Sequence, residues 1–128
     1  MKLEELDIVA EYEEFLEGSS ESLWEEPFPC WIKFNPATKE LSIKFEYEQE
    51  DDKPNTYVWF KGFQTNSSYP YTFELQSNKP EVTEEKMWLE IFYENEFWCL
   101  EGKVEALYQE NGINKIEKRT ILIDQVND

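Results

Sequence analysis

Residues 100–123 read LEGKVEALYQENGINKIEKRTILI. At their centre, Asn111-Gly112 is the pair preferred in a two-residue type I′ hairpin turn, because both turn positions need a positive φ. Counting outward from that turn sets Glu105 opposite Lys118, Val104 opposite Arg119, Gly102 opposite Ile121 and Leu100 opposite Ile123. Opposite charges then meet on one face, while Leu100 and Gly102 line up with Ile123 and Ile121 on the other, as cross-strand pairing favours. The C-terminal segment therefore reads as an antiparallel hairpin.

The same period of two recurs upstream. Cys30–Phe34 and Leu41–Glu48 flank the turn-forming run Asn35-Pro36-Ala37-Thr38-Lys39, with Leu41, Ile43, Phe45 and Tyr47 on one face. Thr56–Phe63 follows, then Tyr69, Tyr71, Phe73 and Leu75, then Met87, Leu89, Ile91 and Tyr93, and Glu94-Asn95-Glu96 turns the chain into Phe97–Gln109. Such short connections imply a meander of about seven antiparallel strands, either a curved sheet or a barrel. The 16% aromatic content suits half-buried pleated surfaces.

Ahead of the strands, Leu3, Leu6, Val9, Ala10, Phe15 and Leu16 recur at helical spacing, and Gly18 suits a helix C-cap. The expected organisation is one mostly β (α+β) domain over residues 1–128. It comprises an amphipathic helix at 1–18, a linker at 19–29 that carries Leu23 and Trp24, and antiparallel β-structure at 30–124.

The chain has 128 residues and a net charge of −17, from 29 acidic and 12 basic residues with no histidine. Acid concentrates at the start: residues 1–30 hold ten carboxylates against the one base Lys2, and Glu11, Glu13, Glu14 and Glu17 form the expected acidic surface. Such a charge repels nucleic acid and anionic membranes, so neither is an expected partner, and it attracts basic proteins. Glu4, Glu5 and Asp7 interrupt any apolar run after Met1-Lys2, so no signal peptide is expected and the expected compartment is the cytoplasm. There Cys30 and Cys99 are expected to be free thiols.

Without histidine there is no Ser-His-Asp or Cys-His machinery and no histidine-bearing zinc site, and two distant cysteines cannot build a thiolate metal centre. Phosphate-cradling and nucleophile-elbow strings are missing as well. Glu90, Glu94, Glu96 and Glu101 lie near aromatics, but nothing marks one for a shifted pKa, and the acidic run at 48–52 lacks calcium-loop spacing. No enzyme, cofactor or metal is expected.

The strands at 57–60, 88–92 and 97–100 are apolar on both faces, so one face needs cover or a partner. Trp31, Trp59, Trp88 and Phe92 are the candidate binding residues. Two functions fit. One is a small acidic protein-binding module, of the inhibitor or immunity-protein kind, that docks on a basic partner through aromatics rimmed by glutamate. The alternative is a β-barrel carrier or sensor that takes an apolar ligand in an aromatic-lined cavity.

Overall fold

A computed structural model describes residues 3–23, 27–47, 53–54, 56–78 and 84–126. A short 3-10 turn (Leu3–Glu5) leads into eight strands: β1 (Asp7–Leu16), β2 (Phe28–Asn35), β3 (Glu40–Tyr47), β4 (Thr56–Gln64), β5 (Tyr71–Ser77), β6 (Glu84–Glu94), β7 (Phe97–Glu110) and β8 (Ile113–Gln125). Each strand pairs antiparallel with the next and β8 pairs with β1, so the sheet closes into a barrel. Closure removes the open edges that a free sheet would present.

The hairpin that decides the reading has the expected register, with Glu105↔Lys118, Val104↔Arg119, Gly102↔Ile121 and Leu100↔Ile123. Asn111 and Gly112 both hold positive φ, 53° and 78°. The β6–β7 turn repeats the geometry at Asn95 and Glu96, with φ of 51° and 70°.

The expected helix at 1–18 is corrected to a strand. Residues 7–16 form β1, which pairs with β2 through Asp7–Tyr12 and with β8 through Ala10–Leu16. Leu3 and Leu6 are buried as the helical reading required, but they reach the core from the 3-10 turn, and Val9 faces outward. A helix here would leave β2 and β8 each with an unsatisfied edge. Ile8, Val9, Tyr12 and Phe15 also suit a pleated surface. Eight strands therefore replace the expected seven.

Two further boundaries move. The expected linker ends sooner, because β2 begins at Phe28, and Trp24 lies outside the described residues. Tyr69, expected in a strand, precedes β5 in a loop. The acidic run at 48–52 also lies outside the described residues.

Inward positions alternate along every strand and form one core that includes Tyr12, Ile32, Phe34, Ile43, Phe45, Phe60, Phe73, Leu89, Leu100 and Ile123. Rings interlock inside it: Tyr12 and Phe45 pack edge-on with centroids 4.6 Å apart, Phe45 and Phe60 at 5.5 Å, Phe34 and Phe73 at 6.1 Å. An eight-stranded barrel is just wide enough for side chains to fill it. Burying each Phe, Leu or Ile stabilises by about 1.5–3 kcal/mol.

Glycine permits the tight curvature at two inward positions. A Cβ on Gly62 would overlap the Glu74 carbonyl of β5, and one on Gly102 the Trp88 carbonyl of β6. Among the described residues no helix is long and apolar enough to cross a membrane.

The end that carries the 3-10 turn, the start of β1 and the β6–β7 turn is called proximal below. The end that carries the β7–β8 turn is called distal.

Candidate functional site

Because inward side chains fill the barrel, outward alternation decides what a partner meets. The four candidate aromatics all point outward, but closure divides them between two walls.

On the β2–β4 wall, register brings Trp31, Lys44 and Trp59 side by side on adjacent strands. The Lys44 ammonium lies 5.2 Å from the Trp31 ring centroid, 4.4 Å from Tyr57 and 5.7 Å from Trp59, and Lys61 lies 5.2 Å from Trp59. Trp31 and Trp59 each stay 37% exposed, with their rings already engaged by the chain's own cations. Glu46 faces the same cluster: its carboxylate accepts from the Tyr57 hydroxyl at 3.3 Å, and its charge pushes the Tyr57 hydroxyl pKa up.

The opposite wall, β6–β8 with β1 beside it, is acidic. Register sets Glu90 directly opposite Glu101, then Leu122, then Glu13 across successive strands. The next row holds Phe92, Cys99, Asp124 and Glu11. The row on the other side holds Trp88, Lys103, Thr120 and Phe15. Glu90–Glu101 and Glu11–Asp124 are thus like-charged pairs placed directly across a ladder, an arrangement that destabilises the sheet. The Cys99 thiol registers the same field. Burial pushes its pKa up, joined by a hydrogen bond to Asp124 and by the charges of Asp124, Glu94 and Glu101.

An open cleft of about 510 Å³ runs along the Glu90 and Trp88 rows and is lined by outward-facing Trp88, Glu90, Glu101, Lys103, Thr120 and Leu122 among others. A second cleft, of about 280 Å³, continues past Trp88 along Lys86, Glu105, Leu107 and Ile116. Trp88 is shared by both and is 39% exposed. Phe92 lies on the same face of β6 and is half-buried.

The expected acidic surface divides. Glu11 and Glu17 are exposed, and Glu13 is partly so. Glu14 is corrected: it points into the barrel at 2% exposure, because it shares the inward parity of Ala10 and Tyr12. There the Arg119 guanidinium lies 2.8 Å from its carboxylate and 3.3 Å from that of Glu85, with Glu117 at 3.4 Å from Nε.

Sequence reasoning passed over this group although a signal was present. Counting back by twos from Ile123 and Ile121 places Arg119 inside, and counting back from Met87 does the same for Glu85. Among the described residues no group of three or more His, Cys, Asp or Glu is arranged to hold a metal. Both cysteines are free thiols, Cys30 in the core and Cys99 half-buried on the outer wall.

Comparison with protein-family models, with curated proteins and with solved structures found no match to this chain.

Proposed function

We propose that this barrel is a protein-binding module that docks on a basic partner through its β6–β8 wall, with Trp88 and Leu122 as anchors and β1 at the margin. The observation that carries the reading is the pair of like-charged rungs, Glu90–Glu101 and Glu11–Asp124, on the wall that also exposes Trp88 and Leu122. Each rung costs the isolated barrel some tenths of a kcal/mol, and a cationic surface laid across both turns that repulsion into attraction. Exposed Trp in an open cleft is the residue type that most often dominates interface energetics. The carrier reading draws less support, because Tyr12, Phe45 and Phe60 interlock inside the barrel where its ligand would sit.

The test is affinity capture from a lysate of the source organism, followed by reconstituted binding of the captured partner at low and high salt. A basic partner whose affinity falls steeply with salt supports the reading, as does a loss of about 30-fold on Trp88→Ala with Trp59→Ala unaffected. Salt-independent binding, or binding indifferent to Trp88→Ala, overturns it.

A further inference from the structure

At the proximal end, a cleft of about 320 Å³ is lined by four aromatic residues, Tyr69, Tyr71, Tyr93 and Trp98. Sequence and register bring them there in two pairs. Tyr93 and Trp98 are cross-strand partners beside the two-residue β6–β7 turn, with ring centroids 5.1 Å apart and planes at 68°. Tyr71 opens β5, and Tyr69 lies two residues before it, with centroids 5.7 Å apart and planes at 88°.

Hydrogen bonds join the pairs and hold the loop that carries Tyr69. The Tyr69 hydroxyl accepts from the Tyr93 N–H at 3.0 Å and lies 3.3 Å from the Tyr93 carbonyl, to which it donates. The Asn66 side-chain amide donates to the Pro70 carbonyl and accepts from the Thr72 N–H, both at 2.9 Å. The walls of the cleft are therefore in place before any ligand arrives, which lowers the ordering cost of binding.

In each edge-to-face pair one ring gives its edge to the other's face. Trp98, only 4% exposed, lines the cleft from the core side and Tyr69, 52% exposed, from the solvent side, and the ring faces left open attract a cation. The contrast with the β2–β4 wall is informative. There Lys44 and Lys61 cover the rings, whereas among the described residues no ammonium or guanidinium group lies over these four. Glu94 and Glu96 sit in the adjoining turn, and the chain's −17 charge draws cations from a distance. A hydrated metal ion or bare ammonium would lose its water to a cleft with aromatic walls. An alkylated ammonium spreads its charge over methyl groups and loses far less.

We infer that this cleft is an aromatic cage for a quaternary ammonium head group. The inference is independent of the docking proposal, since Tyr93 and Trp98 share the inward parity of Ile91 and Leu100 and neither the like-charged rungs nor Trp88 and Leu122 enter it. The head group has two sources, a free small molecule such as choline or a trimethylated lysine side chain of a protein.

The test follows the Trp98 indole N–H resonance during titration of the intact protein at constant ionic strength. Tetramethylammonium and choline are expected to shift it saturably, and the neutral isostere 3,3-dimethylbutan-1-ol to bind about tenfold more weakly or worse. Tyr69→Phe retains the ring but gives up the hydrogen bonds to Tyr93 that pre-order the wall, and is expected to weaken binding less than the loss of the ring does. Tyr69→Leu keeps apolar bulk, removes the ring face, and is expected to weaken binding about tenfold. Thermal melts establish that both variants are folded, and Trp59→Leu on the other wall leaves binding unchanged.

A trimethyllysine peptide that binds more tightly than choline, with its unmethylated form inert, assigns the protein source. Choline binding with both peptides inert assigns the small molecule. No saturable shift with tetramethylammonium, or equal binding of the neutral isostere, overturns the cage.

Discussion

At the proximal end of the barrel, Leu3 and Leu6 are buried, the Phe34 N–H donates to the Leu6 carbonyl, and Trp98 belongs to the same core, with Tyr71 and Tyr93 packed against it. At the distal end the inward rows finish instead on Glu14, Glu85 and Arg119. The first closure is apolar and drawn from the segment next to β1. The second ties β8 to β1 and, past β7, to β6. Apolar side chains tolerate small slips of register, whereas a guanidinium between two carboxylates does not. A one-residue slip of β8 would move Arg119 to the outside and leave both carboxylates buried without their cation. The proximal end is therefore expected to contribute mainly stability, and the distal end mainly to select the register in which the barrel closes.

Removing the cation is the hardest blow to that contrast. Arg119→Ala leaves Glu14 and Glu85 buried and is expected to cost about 3–5 kcal/mol in urea unfolding. Replacing all three groups together, with Glu14→Leu, Glu85→Leu and Arg119→Met, is expected to be neutral or stabilising by about 1–4 kcal/mol. A single substitution costing under about 1 kcal/mol would mean that water enters the distal end freely, and the contrast between the ends would break.

The apolar end gives the next largest effect. Leu6→Ala is expected to cost about 2–5 kcal/mol, by lost burial and by the cavity left behind. Combined with Arg119→Ala, the two losses should add, because the sites lie at opposite ends and share no partner. Strong coupling between them in a double-mutant cycle would mean that the ends act as one unit.

What could be read from the sequence divides along similar lines. The β7–β8 hairpin was legible to the residue because its evidence is local: a turn pair, alternation on both sides and charges that match across the ladder. β1 was not, because Leu3, Leu6, Val9 and Ala10 fit a helical repeat, and only pairing with β2 and with β8, the latter more than a hundred residues away, makes residues 7–16 a strand. The apolar spacing did identify the buried Leu3 and Leu6, while misnaming the element that carries them.

For the candidate site, alternation set Trp59 on the face opposite Val58 and Phe60, and Trp88 and Phe92 opposite Met87, Leu89 and Ile91, but left open whether they lined a cavity or an exposed patch. It could not say that closure would set Trp31 and Trp59 against Lys44, and Trp88 and Phe92 beside Glu90 and Glu101. Those groupings depend on strand order around the barrel. The Tyr69–Trp98 cage draws on a loop and three strands; periodicity placed Tyr69, Tyr71 and Tyr93 in alternating runs but could not say that β5, β6 and β7 bring them to one end with Trp98.

The smallest expected effect concerns the two type I′ turns, one at each end. At the distal turn Gly112 holds its positive φ freely, whereas at the proximal turn Glu96 occupies the equivalent position at 70°. A side chain with a Cβ in that region costs roughly 1–2 kcal/mol, and glycine gives part of this back through greater freedom in the unfolded chain. Glu96→Gly is therefore expected to stabilise by about 0.5–1 kcal/mol, read as a higher urea midpoint at unchanged slope. The reciprocal Gly112→Asn is expected to cost less than Gly112→Glu, since asparagine tolerates the left-handed region better. If Glu96→Gly instead destabilises, the carboxylate gives the barrel more than its backbone strain removes. That strain would then be retained for a side chain in the turn joining Tyr93 to Trp98, and choline affinity of the Glu96→Gly protein would show whether the cage depends on it.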